Sequence, residues 1–137
     1  MTRSVTDIIA ALGTGVHVDG QWRDAASGAT FEVVNPATGE SIAAVADGGA
    51  DDAAAAIEAA GRTQASWAAV PARERAEILR RAYELLVERA DEIALLMTTE
   101  MGKPLAEARG EVTYGAEFFR WFSEEAVRAF GAARRSP

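Results

Sequence analysis

A continuous apolar stripe near the C-terminal end of the chain limits its fold more than any other feature. Apolar or small side chains recur three or four residues apart over about three heptads, at Leu105, Ala108, Val112, Gly115, Phe119, Phe122 and Ala126. This spacing predicts one long helix that begins at Pro104. The same helix carries an aromatic cluster, formed by Phe118, Phe119, Trp121 and Phe122. Because the cluster covers more than one face, we expect the helix to be packed on two sides, with the cluster in a core.

Three more amphipathic segments precede this helix, beginning near Gly48. The first has Asp51 and Asp52 in its first turn, where carboxylates complement the helix dipole. Its apolar face is predicted to consist of Ala53, Ile57, Ala60, Gln64 and Trp67. The second segment opens at Pro71, and Gly102 stops the third. Residues 50–130 are therefore predicted to form about four helices.

The first third of the chain has short runs of alternating apolar residues instead. Asp19-Gly20 separates two such runs, which is a strong hairpin signal. A second turn at residues 35–39 separates another pair. The sequence thus predicts a β-ribbon over residues 15–47, after a short amphipathic helix or an ordered arm in the first fifteen residues. Together with the helices, this is an α+β fold of short β-hairpins followed by about four helices.

Composition narrows the classes of function. The 137 residues suffice for one domain, with 49% hydrophobic and 26% charged residues, as in ordinary globular proteins. The net charge of −7 disfavours nucleic acid as a partner.

No apolar run approaches the roughly 18 residues of a membrane span, and the N-terminus lacks the long apolar centre of a signal peptide. We therefore expect a soluble, cytoplasmic protein. The chain has no cysteine, which excludes disulfides, thiolate metal sites and a cysteine nucleophile within it.

The Gly102-Lys103-Pro104 segment has two local interpretations. A phosphate-binding loop requires a glycine where Met97 stands and a hydroxyl residue where Pro104 stands, so that interpretation fails. Glycine just past a helix and proline at the start of the next favour a tight helix–helix corner. Around this corner, Glu100, Glu107 and Glu111 either bind a cation or form a solvated helix face.

Other candidate residues give no catalytic constellation. His17 is the only histidine and has no visible partners for a metal or catalytic site, so we expect a surface or packing role. No G-x-G-x-x-G dinucleotide fingerprint is present. Taken residue by residue, the sequence indicates a soluble α+β domain and leaves its function open.

The order of the features is more informative than each one alone. A strand pair at "HVDGQW", the "NPATGE" turn, Trp67 before "PARERAEILRR", and then "EMGKPLAEARGEV" follow one another. From about Gly15 to Gly131 the chain resembles the N-terminal region of the aldehyde dehydrogenase superfamily. The stretch "GKPLAEARGEV…FFRWFSEEA" is most similar to succinate-semialdehyde dehydrogenases.

The resemblance implies a function for a longer protein. Family members have an α/β fold with a Rossmann-like cofactor domain and a catalytic domain, and they form homo-oligomers. They oxidise a small aldehyde to a carboxylic acid with NAD or NADP, by attack of a cysteine thiolate, hydride transfer and hydrolysis assisted by a glutamate base. An asparagine and a backbone N–H hold the oxyanion. Residues 1–137 would then be the N-terminal part of the cofactor domain, with the ribbon at 15–47 and the helices at 50–130.

This sequence departs from the family where the chemistry lies. The catalytic cysteine, glutamate and asparagine and the dinucleotide loop come later in family members, so no catalytic or cofactor-binding residue is carried over. The resemblance implies only a monovalent-cation site, formed by main-chain carbonyls of Val33 and Val34 with the side chain of Glu111. The ending "AARRSP" looks like a truncated gene, a frameshift or an incomplete gene prediction, with a naturally short protein as the alternative. We therefore expect a fragment that is inactive alone and binds no NAD(P).

The alternative is a non-enzymatic helical interaction module derived from the family. Such a module predicts a stable, monodisperse protein with a polar outer face. A fragment instead predicts strands without sheet partners and exposed apolar surface on the last helix. The exposure of the stripe from Leu105 to Phe122 discriminates between the two.

Overall fold

The computed structural model describes residues 3–128, which form five helices and four short strands. The strands are β1 (Val16–Val18), β2 (Gln21–Arg23), β3 (Thr30–Val34) and β4 (Ser41–Ala46). The helices are α1 (Val5–Ala10), α2 (Ala50–Ala69), α3 (Ala72–Glu88), α4 (Ala90–Met101) and α5 (Leu105–Ala126). The α+β fold predicted from the sequence is confirmed. The N-terminal segment is a short helix, and residues 129 and 130 of the predicted helical region lie outside the described residues.

The strands form two separate antiparallel hairpins. In the first, β1 pairs with β2 across Asp19 and Gly20, whose φ angles of 54° and 77° are those of the predicted tight turn. In the second, β3 pairs with β4 across the turn at residues 35–39. One backbone hydrogen bond connects the second hairpin to the segment just before the first: the Ala46 N–H donates to the Thr14 carbonyl at 2.8 Å. Within residues 3–128, each sheet has two strands and therefore two open edges.

Helix boundaries follow the local signals in the sequence. Pro71 and Pro104 each stand immediately before the first residue of a helix, where the missing N–H costs no hydrogen bond. Gly102 ends α4 in the left-handed conformation, with φ 75° and ψ 11°. In α1, the Ser4 hydroxyl accepts from the Asp7 N–H and the Asp7 carboxylate reaches back to Ser4, which completes a capping box.

The packed centre of the molecule is the bundle of α3, α4 and α5. Its core cluster consists of Ala94 from α4 with Ala108 and Val112 from α5. Both alanines are fully buried, at 0% exposure. Small side chains at a helix contact permit close approach of the backbones. Among residues 3–128 no large side chain is fully buried, so this core is built mainly from alanine.

Two packing predictions were wrong for the described residues. The predicted apolar face of α2 is exposed, and Ile57 is 73% accessible. Instead, the face with Ala56 and Ala59 packs toward β1. The aromatic cluster of α5 is likewise exposed rather than in a core. The reason is that α5 turns Ala108, Val112 and Ala116 toward its neighbours, and the cluster lies largely on other faces.

No helix in residues 3–128 is both long enough and apolar enough to cross a bilayer.

Candidate functional site

The Gly-Lys-Pro corner joins α4 to α5 and does not form a phosphate loop. The N–H of Gly102 donates to the carbonyl of Thr98 at 3.0 Å, which closes the last turn of α4. Pro104 then precedes α5 with an extended backbone, at φ −55° and ψ 137°. The helix-corner interpretation is therefore confirmed.

The corner lies against the end of β3. A Cβ atom added at Gly102 would lie 3.1 Å from Cγ of Pro36, which is tighter than ordinary contact. Pro36 belongs to a turn that its neighbour stabilises, because Oδ1 of Asn35 accepts from the Ala37 N–H at 2.9 Å. The Asn35 N–H donates to the Glu40 carbonyl at 2.9 Å. The β3–β4 turn and the α4–α5 corner are distant in sequence, and they approach each other closely at Pro36 and Gly102.

Replacing Gly102 with alanine is expected to destabilise the chain by about 1–2 kcal/mol. The added methyl group would meet Pro36, and the left-handed backbone would be strained by any Cβ. Gly110→Ala is the matched control. Its site is inside α5 with nothing near the added Cβ, so we expect stabilisation by about 0.5–1 kcal/mol. Urea unfolding of both variants measures the difference, and equal midpoints would contradict this account of the corner.

The acidic side chains at the corner do not form a cluster that could hold a metal ion. Lys103 forms an ion pair with Glu111, so the charge of that carboxylate is already compensated. Glu100 and Glu107 are exposed on their helices. Nowhere in residues 3–128 do three His, Cys, Asp or Glu side chains come together to hold a metal ion. The solvated-face interpretation fits Glu100 and Glu107, whereas Glu111 is paired with Lys103.

The candidate cation residues Val33 and Val34 lie at the end of β3. There the ladder is irregular: Val33 pairs with Ala43 and Val34 with Ser41, so Ile42 is bulged out of register. The proximity of Pro36 to Gly102 brings this strand end close to the corner that also carries Lys103 and its partner Glu111. The cation site itself stays a prediction.

His17 has the packing role expected from the sequence. It is exposed on β1, and its ring lies edge-on to that of Trp22, with 5.0 Å between centroids and 64° between planes.

Asp52 is a structural residue whose long-range role sequence reasoning missed. It is buried near the N-terminus of α2, where it was expected only to complement the helix dipole. Its carboxylate accepts from the N–H of Gly49 and from the N–H of Ala26, both at 3.1 Å, and Arg23 lies 3.5 Å away. These two hydrogen bonds lower the pKa of Asp52, and the bond from the Gly49 N–H has the larger effect.

Asp52→Asn is expected to lower the melting temperature at neutral pH and to flatten its dependence on acid. The pKa of Asp52 in the folded protein lies below its ordinary value of 3.8. The ionised carboxylate therefore stabilises the folded state fully above pH 3.8, and this stabilisation is lost as the pH falls through the folded-state pKa. Wild type and variant should therefore converge in strong acid. Asp51→Asn, at the exposed neighbouring position, is the control. Melting curves that stay parallel at every pH would refute the role of the Asp52 charge.

The exposed face of α5 forms an aromatic strip, defined here as Tyr114, Phe118, Trp121 and Phe122. With Glu117 these residues line a shallow depression of about 370 Å³. The Tyr114 and Phe118 rings meet edge to face, 5.0 Å apart at 90°. Tyr114 was not part of the predicted cluster, although its position four residues before Phe118 places both on one helix face. Nothing within residues 3–128 covers the strip enough to bury it.

Comparison with known proteins defines the class. The second hairpin, the Asn-Pro turn, the corner and α5 all lie within residues 22–136, which match the profile described as "Aldehyde dehydrogenase family". The chain therefore belongs to the aldehyde dehydrogenase family.

Particular relatives include semialdehyde dehydrogenases. Over 115 residues the chain is 50% identical to glutarate-semialdehyde dehydrogenase of Pseudomonas putida, covering 84% of this chain and 24% of the relative. Over 114 residues it is 48% identical to the NADP(+) succinate-semialdehyde dehydrogenase of Escherichia coli, covering 83% of this chain and 24% of the relative. The chain thus spans about a quarter of the length of these relatives.

A solved structure shares the fold of nearly the whole chain. Betaine aldehyde dehydrogenase of Staphylococcus aureus, a double mutant in complex with NAD+, superposes with a TM-score of 0.89 at 28% identity. The match covers 96% of this chain and 27% of that one. The unit described here is therefore one that also occurs inside a much longer chain.

Proposed function

We propose that this chain is the N-terminal part of the cofactor-binding domain of an NAD(P)-dependent semialdehyde dehydrogenase. The observation that carries the proposal is the identity of about one residue in two to semialdehyde dehydrogenases, sustained over 114 or 115 residues. The relative from Escherichia coli is NADP-dependent by name. The proposed reaction is oxidation of succinate semialdehyde to succinate in the cytoplasm by a homo-oligomer.

The proposed substrate class is a short aldehyde that also carries a carboxylate. Succinate semialdehyde and glutarate semialdehyde, which appear in the names of the two relatives, share that chemistry and differ by one methylene. One methylene changes binding by roughly 1–3 kcal/mol, whereas loss of a recognised polar group can cost far more. We therefore expect discrimination mainly against aldehydes that lack the carboxylate.

We assign no catalytic role to residues of this chain. The chemistry implied by the family begins with a thiolate, and the 137 residues contain no cysteine. The proposed contribution of the chain is a scaffold: two hairpins and a helix bundle on which the rest of the enzyme is built. By itself it is expected to be inactive and to bind no NAD(P).

The monovalent-cation site at Val33, Val34 and Glu111 is part of the same proposal. Main-chain carbonyls suit a hard cation, and the bulge beside β3 interrupts the regular ladder there. A cation at this place has to compete with the Lys103 ammonium for the Glu111 carboxylate.

The alternative function is a helical interaction module without enzymatic activity. The exposed aromatic strip is the opposite of the polar outer face that this alternative requires. The semialdehyde dehydrogenase proposal accounts for that strip as surface that belongs inside a larger fold.

The test begins with the DNA that follows the Pro137 codon, translated in all three frames. We expect one frame to continue into a family sequence with a cysteine and a glutamate. The joined reading frame is then expressed and NAD(P)H formation is measured with succinate semialdehyde, glutarate semialdehyde and betaine aldehyde. The expected kcat/KM is at least about 100-fold higher for the two carboxylated aldehydes. The cation site is tested with Glu111→Gln, assayed in potassium salts and in choline salts. We expect the effect of potassium on the activity of the wild-type enzyme to be lost in this variant.

Three results would refute parts of this proposal. If no frame continues the family, the assignment to a larger dehydrogenase fails. If the joined enzyme prefers betaine aldehyde, the substrate class is wrong. If the 137-residue chain alone forms NAD(P)H, the scaffold role is wrong.

A further inference from the structure

We propose that Asp19-Gly20, the turn of the first hairpin, is a site of spontaneous covalent modification at which Asp19 converts to isoaspartate. The chain contains two Asp-Gly pairs, Asp19-Gly20 and Asp47-Gly48. As sequences they are equivalent, because in each a side-chain carboxyl precedes a backbone nitrogen that no β-carbon shields. The structure distinguishes them, and the first has the freedom that the reaction needs. This modification requires no substrate or cofactor and is independent of the proposed function.

The reaction needs only the chain and water. The backbone nitrogen of Gly20 attacks Cγ of Asp19, so that a new N–Cγ bond replaces the Cγ–OH bond. The displaced hydroxyl leaves as water with the amide proton, and a succinimide ring remains. Water then opens the ring: attack at Cγ restores Asp19, whereas attack at the main-chain carbonyl leaves the chain linked through Cγ, which is isoaspartate. Nothing is oxidised or reduced in either step.

The first Asp-Gly pair lies at the open tip of a short hairpin. The Asp19 side chain is 65% accessible, and a Cβ added at Gly20 would meet no atom within 4 Å. Among residues 3–128, Asp19 is the one residue other than glycine with a positive φ, a region that is costly for a residue with a β-carbon. The hairpin has three residue pairs, and every residue of β2 is exposed. Because an isolated two-stranded hairpin is only marginally stable, the turn opens readily and lets the carboxyl approach the Gly20 nitrogen.

The second Asp-Gly pair is held on both sides. The Asp47 N–H donates to the Ala29 carbonyl at 2.8 Å. A Cβ added at Gly48 would lie 3.0 Å from Cγ1 of Val16, so this glycine is packed against β1. The next residue, Gly49, donates its N–H to a buried carboxylate of α2 at 3.1 Å. The rotation that brings the Asp47 carboxyl to the Gly48 nitrogen therefore has to break these contacts, and the reaction is expected to be slow here.

Isomerisation would break the ion pair that joins the hairpin tip to α2. Nη2 of Arg62 donates to Oδ2 of Asp19 at 3.2 Å. In isoaspartate the main chain gains a carbon atom, and the free carboxylate is attached directly to Cα, where it reaches less far. Since the length of a two-residue turn fixes the register of a hairpin, the added atom would also displace His17 from Trp22, its partner across the hairpin. The modified hairpin is therefore expected to loosen and to separate from α2.

Trypsin places the two Asp-Gly pairs in different peptides, residues 4–23 and residues 24–62. The 137-residue chain is aged in neutral buffer and, separately, in urea, and is then digested. Isoaspartyl peptides are recognised by altered retention at unchanged mass and by labelling with a protein isoaspartyl methyltransferase, and electron-transfer fragmentation locates the residue. In urea we expect equal rates at the two pairs. In the folded chain, isoaspartate should form at least about fivefold faster in residues 4–23 than in residues 24–62.

Asp19→Glu is the matched control, because it keeps the charge but would have to close a larger ring that forms more slowly. The isoaspartyl signal of residues 4–23 should disappear in this variant, and that of residues 24–62 should be unchanged. Equal rates at the two pairs in the folded chain, faster reaction at Asp47, or a signal that persists in Asp19→Glu would overturn the proposal. The loosening is measured by amide hydrogen exchange over residues 16–23 in the separated isoaspartyl form. We expect exchange at least about tenfold faster than in the unmodified chain, and unchanged exchange would refute the structural consequence.

Discussion

Val112→Asp is expected to unfold the helix bundle. Val112 is buried in the core cluster with Ala94 and Ala108, so a new carboxylate would lie among apolar side chains. An uncompensated buried charge costs on the order of 3–5 kcal/mol, which is comparable to the whole stability of many domains. We expect loss of the cooperative melting transition, measured by circular dichroism at neutral pH.

The control for this prediction is the adjacent position. Thr113→Asp introduces the same charge one residue later, on an exposed part of α5. Its expected effect is within about 0.5 kcal/mol. If Val112→Asp melts like the wild type, the α4–α5 contact is not the core of the molecule. A partial rescue of Val112→Asp in acid would support the assigned cause, since protonation removes the buried charge.

Much of the local structure was predictable because its signals are local. Asp19-Gly20 tolerates the left-handed backbone that a two-residue hairpin requires. Gly102 does the same at the end of α4, and Pro71 and Pro104 set the starts of the helices that follow them. In each case one or two residues decide the backbone conformation, whatever surrounds them.

Packing was less predictable because it depends on what lies opposite each face. Ile57 satisfies helical periodicity, yet the described residues place no element against it. Trp121 and Phe122 belong to the aromatic strip of α5, which is apolar by sequence but is left exposed by the rest of residues 3–128. Periodicity identifies a face that is suited to burial; it does not identify the surface that buries it.

Long-range polar contacts were harder to predict from the sequence than packing was. The hydrogen bond between Ala26 and Asp52 spans 26 residues, and no spacing rule connects the two positions. The one available signal was Asp52 at the third helical position after Gly49, which predicts a bond to the N-cap backbone. The candidate cation residues Val33 and Glu111 had no local signal and came from the family resemblance alone.

Ala108→Leu is expected to destabilise the chain by about 3 kcal/mol. The Ala108 side chain is fully buried where α5 meets α4, so three more carbon atoms have no space unless the helices separate. Ala106→Leu is the control: the same substitution, two residues earlier on the exposed face of α5, should change stability by less than about 0.5 kcal/mol. Urea unfolding measures both. A loss in Ala108→Leu with none in Ala106→Leu would show that close approach of α4 and α5, rather than helix propensity, requires alanine here. Equal stabilities would mean that the interface has room for a larger residue, and that small side chains are not what holds these helices together.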